Sequence, residues 1–219
     1  MSNEEFDLES ITWQGPEIDD RYTLEQLSSA HRGLLEQING FIQFGGGLHV
    51  FGACFAPDWH ALGQMWTGPA RLNFGYPELR KTDVPLAEDC MGDQFLLRDE
   101  SVIRLTAETG EVEMLGISMW EFLRCAQKDP VEFLQLHPLI QLHNEGGKLQ
   151  PGELLNAAPP FVFKESANGV SLKAVPAFEQ RSFLHTLYAG LKDIPDGGRV
   201  RLVAKDDSPH TAKKKRPQK

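Results

Sequence analysis

The chain has 219 residues, 41% hydrophobic and 24% charged, enough for one generous domain or a domain with an appendage. No apolar run approaches the ~20 residues of a membrane span, and Cys54, Cys90 and Cys125 are too scattered for a C-x-x-C pair, which points to buried free thiols rather than zinc or a redox dithiol. The net charge of −9 hides an asymmetry: residues 205–219 hold six Lys/Arg against two acids, whereas residues 1–204 hold 16 Lys/Arg against 29 Asp/Glu. A body this acidic repels nucleic acid and favours fast encounter with a basic protein.

The start, MSNEEFDLES, lacks the basic and apolar segments of a secretory signal, so a cytoplasmic protein is expected. Residues 1–21 read as a loosely ordered acidic leader interrupted at Gly15-Pro16, with Trp13 docking on the core. From Thr23, Leu24, Leu27, Leu34, Leu35 and Ile38 recur at helical spacing. Thr23 with Gln26 suggests a capping box, and Asn39-Gly40 a left-handed stop.

FIQF and LHVFG then read as short strands around the Gly45-Gly46-Gly47 turn, which lacks the Lys-Ser/Thr and following helix of a phosphate loop. A short helix is predicted over WHALGQMW. DQFLLRD, SVIRLTA and EVEMLG follow as an antiparallel meander split by tight-turn residues. Ser118, with Glu121 three residues on, opens a helix that packs back on the sheet, and Pro130 opens another that Pro138 bends or splits. Residues 146–204 suggest strands at PPFVFKES, VSLKAVP and RVRLVAK and one amphipathic helix, together too small for a core of their own. The tail 205–219, almost without apolar residues, is expected to be disordered.

The chemical candidates centre on PLAEDCMGDQFLLRD. Glu88 and Asp89 are adjacent, so in an extended segment they point to opposite faces and cannot act on one substrate atom. The acids would also raise the Cys90 pKa and suppress its thiolate. His49, His60 and Asp58 are possible metal donors, joined by Glu88, Asp89 or Asp93, but no histidines stand at the i, i+4 spacing of a helical zinc site. The favoured reading of this stretch is a hydrogen-bonded strand corner in which one of Glu88 and Asp89 turns inward onto backbone donors and Asp93 stabilises the turn at Met91-Gly92.

The order of these elements resembles the SUKH superfamily in its Smi/Knr branch. The resemblance covers about residues 22–135: a helix ending at Asn39-Gly40, a glycine-rich strand pair, the DCMGD turn of residues 89–93, a meander, and the S-x-x-E-F-L opening at Ser118, Glu121, Phe122 and Leu123. It implies an α+β fold with a curved antiparallel sheet packed by helices, placed here over residues 22–145; residues 146–204 are read separately as a C-terminal α/β extension docked on it. It also implies a non-enzymatic bacterial immunity protein that neutralises a secreted toxin, a nuclease among the options, by direct binding. A regulatory scaffold of the same fold is the alternative, and a metal-dependent hydrolase the third reading. Neither the extension nor the lysine-rich tail belongs to the family pattern. The expected partner contacts are Trp59, Glu88, Asp89 and Asp93, and the expected structural turns Asn39, Gly40 and Gly92. No catalytic residue, metal or cofactor is expected, and a homodimer is compatible with the reading.

Overall fold

The computed structural model describes residues 10–195 and residues 197, 198 and 200. In chain order the elements are β1 (Ile11–Gln14), α1 (Arg21–Glu25), α2 (Ser29–Gln37), β2 (Phe41–Gln43), β3 (Leu48–Val50), α3 (Leu62–Trp66), α4 (Leu72–Gly75), β4 (Val84–Asp89), β5 (Gln94–Arg98), β6 (Ser101–Leu105), β7 (Val112–Ser118), α5 (Met119–Lys128), α6 (Pro130–Phe133), α7 (His137–Asn144), β8 (Glu153–Ala158), β9 (Ser171–Pro176) and α8 (Ala177–Leu191). Strands β1 to β7 form one antiparallel sheet whose spatial order is the chain order, and β8 with β9 forms a separate antiparallel pair. The fold is α+β.

Both faces of the sheet are covered. On β5, Phe95 and Leu97 join one apolar cluster with Leu34, Phe41, Met119 and Phe122, while Leu96 between them joins another with Leu35, Leu62, Ile103 and Leu184. Successive strand side chains point to opposite faces, so a strand covered on both sides reads as a continuous apolar run. The C-terminal segment contributes to both clusters: Leu155, Ala157 and Leu172 to the first, Leu184 and Tyr188 to the second.

Several sequence expectations are corrected. The leader is strand from Ile11, where β1 pairs with β2 and Trp13 packs against Trp59 at 4.8 Å and His60 at 4.7 Å. The single helix expected from Thr23 is two. Asp20, not Thr23, caps the first, accepting from the Thr23 amide, and Ser28 restarts the chain by accepting from the His31 amide. Asn39 acts as a brace: its amide nitrogen donates to Pro16 O at 2.8 Å, and its side-chain oxygen accepts from the Ala53 amide at 2.7 Å. Gly40 supplies the left-handed residue at φ 73°, three positions beyond the end of α2.

Trp59 and His60 lie in a turn ahead of α3 rather than within a helix. The 130–147 helix is split into α6 and α7, and Pro138 sits in the first turn of the second piece. The strand expected at PPFVFKES is displaced to Glu153–Ala158, because Pro159 and Pro160 cannot donate to a ladder; Lys164–Asn168 is a 3₁₀ turn. The predicted RVRLVAK strand falls almost entirely outside the described residues, as do the acidic residues before Ser10 and the basic tail.

Candidate functional site

Strands β3 and β4 pair in a register that sets His49 opposite Glu88. Glu88 is 1% exposed and fully engaged. Its Oε1 accepts from His49 Nδ1 at 2.9 Å and from Arg181 Nη2, while its Oε2 accepts from Arg181 Nε at 2.9 Å and Gln94 Nε2 at 3.0 Å. Arg181 Nη2 also donates to Trp59 O at 3.0 Å, so this one side chain of α8 ties the helix to β4 and to the Trp59 turn. Burial works against the carboxylate, but the Arg181 charge and the bonds from His49 and Arg181 hold its pKa down at about 2.

The chain of contacts continues inward. His49 Nε2 lies 2.8 Å from His60 Nδ1, and His60 Nε2 donates to Asn39 O at 2.9 Å. A carbonyl can only accept, so His60 carries its proton on Nε2 and offers Nδ1 as an acceptor. His49 gives one N–H to Glu88. The 2.8 Å contact between the rings therefore closes as a hydrogen bond only when one of the two rings carries a second proton, on His49 Nε2 or on His60 Nδ1. Burial lowers the His49 pKa, with Glu88 opposing, and lowers that of His60 to about 3. Gly52 makes the packing possible, since a Cβ there would collide with His60 Nε2 and Asn39 O.

Asp89 faces the other way and organises the corner. Its Oδ1 accepts from the amides of Met91, Gly92 and Asp93 at 2.9, 3.0 and 3.1 Å. Gly92, at φ 97°, takes the turn a side chain would strain, and a Cβ there would meet Leu184 at 2.8 Å. Asp93 accepts from Arg104 Nη2 at 2.7 Å and from the Ala107 amide at 2.9 Å. Burial and the neighbouring Asp93 charge push the Asp89 pKa up, against Arg104 and the turn amides. Cys90 is buried, and burial with the two aspartates pushes its thiol up, as the sequence implied.

The proposed contact set is corrected by this geometry. Glu88, Asp89 and Asp93 are 1%, 2% and 8% exposed and bonded internally, so none of them is a surface on which a partner can land. Trp59 alone of the four is partly exposed. The donors of the metal reading are only partly gathered: His49, His60 and Glu88 meet, but every ring nitrogen already faces a protein atom at 2.8–2.9 Å. Among the described residues, no group of three or more His, Cys, Asp or Glu is placed to hold an ion.

Trp59 lies between two cavities. One, about 280 Å³, opens beside the Gly45-Gly46 turn and has His49 and Glu88 in its wall. The other, about 610 Å³, is a groove between residues 58–76 and α8 lined by Trp59, Met65, Phe74, Tyr76, Phe178 and Leu184. Phe74 is 64% and Phe178 75% exposed, the latter the most exposed large apolar side chain among the described residues. Phe178, Arg181, Ser182 and His185 all line the groove at i, i+3, i+4 and i+7, one face of α8, while Ala177, Gln180, Leu184, Leu187 and Tyr188 are buried. Sequence reasoning missed Phe74, Phe178, Arg181 and Gln94. The helical spacing was the available signal for Phe178 and Arg181; nothing local pointed to Phe74 or Gln94.

The described surface as a whole is acidic: 17 Asp/Glu and nine Lys/Arg are exposed among the described residues. No helix among them is long and apolar enough to cross a membrane. A scan against protein-family models and a search of curated proteins both find no match to this chain.

Proposed function

We propose that the protein is a non-enzymatic binding protein that neutralises a basic protein partner, a secreted bacterial toxin on the SUKH resemblance, in the cytoplasm of the cell that makes it. The observation carrying this reading is the aromatic-lipped groove of about 610 Å³, with Phe74 and Phe178 exposed, set in a surface with 17 exposed acids against nine bases. Large exposed aromatics at an apolar cleft are the usual anchors of a protein interface, and surface charge of one sign steers a partner of the other. The binding role thus moves from the buried acids to the groove and its surroundings, with Trp59 retained in the wall.

The test is growth rescue with the product of a candidate secreted-toxin gene encoded beside that of this protein. Wild-type protein is expected to restore growth to cells expressing that product. Phe74→Ala/Phe178→Ala, checked for an unchanged melting temperature, is expected to lose the rescue and weaken binding at least about a hundredfold, as for two anchor residues. Full rescue by the folded double variant overturns the groove reading.

A further inference from the structure

We infer that His49 and His60 together form one proton-binding site, which takes up a single proton shared between the two rings in mild acid and so fastens the Trp59 turn to β3 and β4. The count of ring protons carries the inference. Three contacts run in series: Glu88 Oε1 to His49 Nδ1 at 2.9 Å, His49 Nε2 to His60 Nδ1 at 2.8 Å, and His60 Nε2 to Asn39 O at 2.9 Å. Both ends of the series are acceptors, a carboxylate and a carbonyl. Each contact therefore needs its own ring proton, and two neutral imidazoles hold only two. A neutral pair leaves one contact open, with two acceptors facing each other and buried ring nitrogens unpaired, which is costly. One further proton closes all three.

The surroundings limit the uptake to one proton. Glu88 of β4 and Arg181 of α8 are the charged groups that act on both rings, and they are paired with each other. Lys148, Glu153 and His143 line the cavity that His49 also walls, and Asp58 of the Trp59 turn is exposed. Trp13, Phe51 and Trp59 present only ring faces. A second proton would set two imidazolium nitrogens 2.8 Å apart beside a guanidinium, so the pair titrates as a unit and stops at one. Burial opposes even the first, which places the uptake below the ordinary histidine value of 6.5. The Trp59 ring lies 5.1 Å from that of His49 and 5.6 Å from that of His60, and it walls both cavities. When the proton leaves and the imidazoles part, the indole packed on both shifts with them. The shape of the two cavities thus depends on pH, whatever either of them binds.

The experiment follows the ring nitrogens of the full-length protein, isotopically labelled at histidine and tryptophan, by NMR as pH falls from about 7.5 to about 4.5. His49 and His60 are expected to change together, with one midpoint and a gain of one proton for the two rings. The Trp59 indole N–H is expected to shift at that same midpoint, and to lose the shift in His49→Gln. Separate midpoints with one proton gained on each ring overturn the inference, as do two rings that stay neutral over the whole range. A Trp59 indole that is unmoved across the midpoint in the wild type, or that still shifts in His49→Gln, also overturns it. If the variant fails to fold, the wild-type proton count and the Trp59 shift decide the matter by themselves.

Discussion

At the scale of single residues, His31 shows how burial translates into pH dependence. It is 0% exposed on α2, and neither ring nitrogen has a partner among the described residues, so burial lowers its pKa from 6.5 to about 4. The folded ring stays neutral while the unfolded chain takes up a proton below pH ~6.5. Its contribution to stability therefore falls as pH drops from about 6.5 to 4. At pH 5 the penalty is roughly 2 kcal/mol relative to pH 7. His31→Leu is expected to widen its stability advantage over wild type by that amount between pH 7 and pH 5 in urea unfolding, and a difference independent of pH would refute this account. Glu88 acts further into acid and in the same direction. Its depressed pKa gives stability that is fully present above about 4.5 and is lost as pH falls towards about 2.

At the scale of elements, α8 adds one buried ion pair and a close contact with the strand corner to the apolar packing of Leu184 and Tyr188 on the sheet. Arg181 reaches Glu88 and Trp59 O, while Leu184 of the same helix lies against Gly92. Arg181→Met leaves a buried carboxylate with its main counter-charge removed, which costs about 3–5 kcal/mol. The matching Glu88→Gln/Arg181→Met pair should recover part of that loss in thermal unfolding; if the double variant is no better than Arg181→Met, the unpaired charge is not the cause. Gly92→Ala combines a strained left-handed residue with a close approach to Leu184. About 1–3 kcal/mol of destabilisation is expected for it. Because α8 forms one wall of the groove, both Arg181→Met and Gly92→Ala should weaken partner capture even where the protein stays folded.

At the scale of the whole molecule, the internal cations are spent on buried acids. Arg98 bonds Asp83, Arg104 bonds Asp93 and Arg181 bonds Glu88, which leaves the exterior to the unpaired excess of carboxylates. A basic partner steered by that field should associate more slowly as ionic strength rises, because the Debye length shrinks from about 10 Å at 0.1 M to about 3 Å at 1 M. Stopped-flow association with the proposed basic partner is expected to slow at least about tenfold between 0.05 and 0.5 M salt. Dissociation, governed by the aromatic groove, should change far less. An association rate insensitive to salt would remove steering from the mechanism and leave the groove as the sole determinant of capture.

The sequence by itself determined the elements whose signals are local. β-prone runs and the turn residues between them marked β5, β6 and β7, the Ser118 cap placed α5, and the Asp89-Gly92-Asp93 pattern marked the strand corner, since each depends on neighbours a few residues away. The tertiary structure decided what depends on contacts distant in sequence. It made a strand of Ile11–Gln14 by pairing it with β2, and it turned three acids that look like a contact surface into buried partners of Arg104 and Arg181. It also brought Phe74 and Phe178 to the two sides of one groove above Gln94. A charged residue looks the same in sequence whether water or a guanidinium from 93 residues away will solvate it, and only the folded chain distinguishes the two.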